Sequence, residues 1–199
     1  MRWPQNASNK AVMKLLRLAL SMVLIGMVFP TRADVTDKVV YSYYIVRAQP
    51  NQSSANLLNK YSPFRHDGRV FHSHTSWDVS WHYHWIEAPD GKCKMAQVSV
   101  ALDSKIVLPT LVGATEDQQS KFNTYLRALQ THELGHVDFG KQAARAIDGG
   151  ILALPELANC RVLDAAANAL ANQLLDSYRQ KEIQYDVDTD HGKTQGARI

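Results

Sequence analysis

The run Thr115-Glu-Asp-Gln-Gln-Ser-Lys-Phe-Asn-Thr-Tyr-Leu-Arg-Ala-Leu-Gln-Thr-His-Glu-Leu-Gly-His136 decides the reading of this 199-residue chain. Thr115 and Gln118 form a capping box, which satisfies free N–H groups and opens a helix. Phe122, Tyr125, Leu126, Leu129, Val137 and Ile147 then recur at helical spacing. His132, His136 and Gly140 fall on or beside that stripe. Gly149-Gly150 reads as the stop.

His132 and His136 stand four apart on one helical face, so both imidazoles can reach one metal ion. Glu133 is rotated about 100° from His132 and can address a water without ligating the metal. Zinc suits nitrogen ligands and lowers the pKa of bound water, and an adjacent carboxylate can take the proton. This is the chemistry of metal-assisted amide hydrolysis. Chance gives His-Glu-x-x-His in about 1% of shuffled chains of this composition. Left without partners on a core-facing stripe, two imidazoles and a carboxylate would be costly.

A catalytic zinc needs a third protein ligand and an open position. Asp138 points to another side of the helix, and Gly140 and Ala143 exclude the short sequence-adjacent triads. Glu156 and His191 are both credible, and spacing does not choose between them. Asp186, Asp188 and Asp190 surround His191 and can orient an imidazole through its other ring nitrogen. His82 and His84 share a strand face but have no nearby acid as third ligand. The Asp186-x-Asp-x-Asp190 run is a poor calcium loop, because Gly192 comes one place late and Ala197 replaces the closing Glu.

Upstream, the chain reads as strands. Val39–Val46 is dense in β-branched and aromatic residues. Trp77, Val79, Trp81, Tyr83 and Trp85 alternate with polar residues on one strand face. Pro89-Asp-Gly91 supplies a turn, Lys94–Leu102 returns as a hairpin, and Pro109 and Gly113 break the pattern. Residues 51–76 are polar and irregular and read as loop. Downstream, a second helix is expected near 160–184, and residues 185–199 have the polarity of a tail.

Residues 1–33 carry five basic residues, no acid, and an apolar run from Leu18 to Phe29. Thr31-Arg-Ala33 offers small residues at a cleavage site, so 1–33 reads as an export signal cut after Ala33. The apolar run is too short for a membrane span, which needs about 20 residues, so no stable membrane insertion is expected after cleavage. Residues 34–199 then hold 17 basic and 19 acidic side chains, which argues against a nucleic-acid partner. Cys93 and Cys160 are the only cysteines, and two thiols in an exported domain are expected to pair.

Together, Trp77-Asp-Val-Ser-Trp81, Cys93, Leu108-Pro109, Thr131-His-Glu-Leu-Gly-His136, Cys160, Tyr185-Asp-Val-Asp-Thr-Asp-His-Gly192 and Gln195-Gly-Ala197 resemble a bacterial family. That family is domain of unknown function 922, described as predicted secreted zinc-dependent proteases. The resemblance implies that the Tyr185–Gly192 segment belongs to the site and favours His191 as third ligand. The expectation is therefore an α+β, zincin-like single domain over 34–199, exported to the periplasm or beyond. An aromatic-rich antiparallel sheet would precede the metal helix and a second long helix. One zinc would be held by His132, His136 and His191, Glu133 would be the general base, and Tyr185 is a candidate oxyanion stabiliser. The expected partner is a peptide or protein substrate, bound by strand addition along an edge strand within 77–102. The alternatives are a zinc amidohydrolase acting on cell-wall peptides, and a non-enzymatic envelope module binding through Trp77, Trp81 and Trp85.

Overall fold

The computed structural model describes residues 34–199, so the expected export signal lies outside the described residues. The fold is α+β. Strand β1 (Asp34–Arg47) leads to helix α1 (Ser54–Tyr61), then the short strands β2 (Phe64–His66) and β3 (Arg69–Phe71). Two long strands, β4 (His74–Glu87) and β5 (Cys93–Val112), are followed by the helices α2 (Glu116–Leu152) and α3 (Cys160–Thr189). A 3-10 turn at Lys193–Gln195 comes last. Among the described residues, no helix is long and apolar enough to cross a membrane.

The main sheet has the order β1-β5-β4. β4 and β5 are the expected antiparallel hairpin, turning where Gly91 adopts φ +82°. β1 pairs with β5 in parallel, from Asp34 opposite Ser99 to Arg47 opposite Val112. The sheet is therefore mixed, which corrects the expected all-antiparallel arrangement. A parallel pair needs a long crossover, and here β4 and everything between it and β1 provide one. β5 also runs through Pro109, which was expected to break it. Gly113, at φ +72°, marks the actual end.

Residues 51–76 are not loop. Ser53 caps α1 by accepting from the Asn56 N–H, and Leu57 and Leu58 are fully buried. Asp67 and Gly68, both at positive φ, make the two-residue turn that joins β2 and β3. These elements are too short to show a hydrophobic period, which is why the pattern did not declare them.

The alternation in β4 works as expected. Val79 pairs with Leu102, Trp81 with Val100 and Tyr83 with Val98, and this face packs against the helices. The Trp81 indole N–H donates to Asn168 and the Tyr83 hydroxyl to Asp164, which ties the aromatic strand to α3. Trp77 and Trp81 are thus committed to the core, and of these three tryptophans Trp85, 40% exposed, alone resembles a surface aromatic.

α2 spans both halves of the core. Its first half packs Phe122, Tyr125 and Leu129 with Ile106, Leu108 and Leu58. Its second half packs Ala143, Ala144 and Ile147 with Leu102, Leu163 and Ala167. His132–His136 sits near the seam between them. α2 does not stop at Gly149-Gly150 but continues to Leu152. A Cβ at Gly150 would come within 3.2 Å of Leu170, so that glycine permits close helix packing rather than ending the helix.

Cys93 and Cys160 form the expected disulfide, with Cα atoms 5.0 Å apart. It fastens the start of β5 to the start of α3, beside backbone bonds between Cys93 and Leu157. Closing a loop of this length limits the unfolded chain. The Cys93→Ser/Cys160→Ser double variant is expected to lose about 4 kcal/mol of unfolding free energy in urea titrations.

Candidate metal centre

The site is built from two helices, each contributing a pair of residues four apart. On α2, the Nε2 atoms of His132 and His136 lie 3.2 Å from each other. On α3, Asp186 places Oδ1 3.1 Å from each of those nitrogens. Both histidines are buried. Donors about 2.0 Å from a tetrahedral zinc stand about 3.3 Å from one another, so this triangle has the size of one tetrahedral face. Nitrogen, nitrogen and carboxylate oxygen also suit zinc chemically.

The other ring nitrogens are occupied, which fixes the rings. His136 Nδ1 lies 3.0 Å from Glu182 Oε1, and Glu182 is one turn before Asp186 on α3. His132 Nδ1 lies 3.0 Å from Gln195 Oε1, with the Thr189 hydroxyl at 3.4 Å. With Nδ1–H donating to these oxygens, each Nε2 faces the triangle and offers a lone pair there once its proton is displaced. Burial by itself lowers the His136 pKa, but bonds to the Asp186 and Glu182 carboxylates outweigh it and push it up to about 9. Burial raises Asp186, yet the bonds from His132 and His136 hold it well below the usual carboxylate range.

His191 is brought to the site but not into the triangle. Its Nδ1 is 3.5 Å from Asp186 Oδ1, and its ring packs edge-on against Phe71 at 4.9 Å. Glu156 is remote. It follows the end of α2, near Lys92, and the 16 residues from His136 to Leu152 span about 24 Å. In the sequence Asp186 stands as an orienting neighbour of His191 and as part of a poor calcium run. The available signal was its spacing from Glu182, which mirrors His132 and His136 on the facing helix. α3 runs to Thr189, beyond its expected end near 184, and this extension carries Asp186 to the site. The supposed tail then folds back, with Asp190, His191 and Gly192 all at positive φ. Gly192 is required there, because a Cβ would come within 2.9 Å of the His132 ring.

Glu133 is buried, and both its oxygens are held. The Ser73 hydroxyl donates to Oε1 at 2.5 Å and the Thr75 hydroxyl to Oε2 at 2.6 Å. Neither residue was singled out from sequence, since both lie in the stretch read as loop. Tyr185 stacks on His132, with ring centres 5.1 Å apart and planes 11° from parallel. Its hydroxyl donates to the His132 carbonyl and accepts from the Gln195 amide, so it is engaged behind the histidine. His82 and His84 lie on the exposed face of β4, away from this group.

His132, Glu133, His136 and Asp186 line a cleft of about 1280 Å³. Six of the eight histidines line it: His66, His72, His74, His132, His136 and His191. The β2–β3 hairpin borders it on one side and the segment around the 3-10 turn contributes to another part of the wall. Residues 41–192 match the family described as bacterial protein of unknown function (DUF922). No curated protein and no solved structure matches the chain.

Gly135 gives the packing a direct test. A Cβ there would fall 2.2 Å from the Tyr185 hydroxyl. Gly135→Ala is expected to cost about 1–3 kcal/mol of stability by overpacking. Adding Tyr185→Ala removes the clash, so the double variant in urea titrations should lie well short of the sum of the two single losses.

Proposed function

The chain belongs to that bacterial family, and we propose that it is an exported zinc-dependent peptidase using His132, His136 and Asp186 as ligands and Glu133 as general base. The observation that carries this reading is the triangle of two Nε2 atoms and one carboxylate oxygen, all within 3.2 Å, with both Nδ1 positions already bonded. Asp186 takes the place that sequence reasoning gave to His191. His191 instead lines the cleft beside the triangle.

A zinc ion held there supplies a Lewis acid that polarises a carbonyl and brings the pKa of water toward 7. Ser73 and Thr75 fix the Glu133 carboxylate through two hydroxyl bonds, so it meets the attacking water in one orientation. Glu133 takes a proton from that water and returns it to the departing amine. Burial of the carboxylate keeps competing bulk water away from this transfer.

A polymeric substrate suits the size of the cleft, since pockets for small molecules are about 300–1,000 Å³. β4 is an edge strand, and its first residues, His74 and Thr75, line the cleft beside Glu133. The free backbone edge can pair with an extended peptide. The strand end at 74–75, rather than 77–102, is the candidate docking edge. The same chemistry serves cleavage of cell-wall peptides. The Cys93–Cys160 disulfide supports an oxidising compartment.

Elemental analysis of the purified protein should give one zinc per chain, lost in Asp186→Ala and retained in His191→Ala and Glu156→Ala. Glu133→Gln should keep the zinc and lose about 100- to 10,000-fold in hydrolysis of denatured protein or a peptide library. Zinc-loaded Glu133→Gln with full activity would overturn the mechanism. Ser73→Ala with Thr75→Val should lower kcat while leaving zinc content unchanged.

Zinc binding must displace the proton that the metal-free site holds on His136. Its folded pKa, about 9, lies above the ordinary value, so this group stabilises the metal-free fold below about pH 6.5 and ceases to do so as pH rises through 9. Apparent zinc affinity, measured against a competing chelator, is expected to rise about tenfold per pH unit up to about 9 and then level off.

A further inference from the structure

The cleft contains cations that nothing in it neutralises. Its four side-chain carboxylates all have partners: Glu133 is bound by Ser73 and Thr75, Glu182 by His136, Asp186 by the histidines, and Asp190 by Lys193. Its one lysine is thereby used. Arg65, Arg69 and Arg198 remain, and among the described residues none of the three forms an ion pair with a carboxylate.

Two of these guanidiniums are positioned by the backbone. Arg65 Nη2 donates to the Asn59 carbonyl at 2.7 Å and to the Lys60 carbonyl at 3.4 Å. Arg198 Nε donates to the Lys193 carbonyl at 3.0 Å. A guanidinium has five N–H donors, so each keeps others free in a fork that matches a carboxylate. Residues 34–199 hold more acids than bases, so three unneutralised arginines on one cleft are a local feature rather than general basicity. Phe64, Val70, Phe71 and Ile183 line the same cleft and suit the apolar parts of a peptide.

We propose that Arg65, Arg69 and Arg198 select peptides that carry carboxylate groups. This deepens the peptidase reading and rests on it for the fate of the bound peptide. An Asp/Glu-rich protein segment and a cell-wall stem peptide share the chemistry. In both, carboxylates beside the amide would pair with the arginines while the backbone lies over Glu133.

The test separates binding from cleavage. Zinc-loaded Glu133→Gln is titrated by fluorescence anisotropy with labelled peptides of one length carrying Glu, Gln or Lys, and with a soluble stem-peptide fragment. Glu peptides should bind about tenfold tighter than Gln peptides, and Lys peptides more weakly still. The difference should shrink as salt rises, because exposed charges are screened. Adding Arg69→Glu and Arg198→Glu should reverse the order in favour of Lys, an outcome that misfolding cannot produce. Equal binding of the three peptides, or an order unchanged by the reversal, overturns the proposal. Tight, carboxylate-dependent binding of a peptide that the wild-type protein does not cut upholds it and sinks the peptidase reading instead. Tighter binding of either the linear Glu peptide or the stem fragment upholds it and identifies the source.

Discussion

One carboxylate oxygen, Asp186 Oδ1, stands 3.1 Å from two buried imidazole nitrogens and joins the two long helices in the cleft. Two buried imidazoles and a half-buried carboxylate this close call for a shared positive charge. Without an ion, the proton retained on His136 provides it. The arrangement around them satisfies the same demand. Glu182 and Gln195 hold the outer nitrogens, Thr189 and Tyr185 back the His132 ring, and Gly135 and Gly192 make room for both.

The fold supplies this pairing by register rather than by loops. His132 and His136 are one turn apart on α2, Glu182 and Asp186 are one turn apart on α3, and the helices hold the two pairs opposite each other. At their other end Gly150 lets α2 approach α3 closely at Leu170, and the disulfide ties the start of α3 to β5. Among the described residues, four other than glycine adopt positive φ, and two of them, Asp190 and His191, make the reversal after α3. That reversal carries Gln195 back to His132. Functional rigidity and local backbone cost therefore sit within a few residues of each other.

Much of this was legible in the sequence. The capping box at Thr115, the periodicity of α2, the inward aromatic face of β4 and the Cys93–Cys160 pair follow from local rules, and the structure has each of them. What escaped was set by distant partners. The parallel pairing of β1 depends on β5, which local alternation cannot reveal. Of the two hydroxyls on Glu133, Ser73 lies between β3 and β4 and Thr75 at the start of β4, ahead of the aromatic alternation that begins at Trp77. Asp186 looked like one acid among three near His191. Only the α3 register distinguishes it, placing it toward α2 while the exposed Asp188 bonds a glutamine on its own helix. The Tyr185–Gly192 segment lies against His132 and His136, and within it Asp186 stands nearer to their Nε2 atoms than His191 stands to Asp186.

The parallel strand also governs the order in which the chain can fold. Asp34 meets Ser99, and every later β1 pair keeps that offset of 65 positions. β4 and β5 can zip locally once their short turn exists, whereas β1 must wait for the full length of β5. As the chain is made, β1 is the first described strand to appear and has no partner until β5 follows it. During that interval Tyr41, Tyr43 and Ile45 lie on an unpaired strand, a template for wrong pairing with other chains. The topology that lays β1 against β5 thus makes the nascent strand the step most in need of a chaperone.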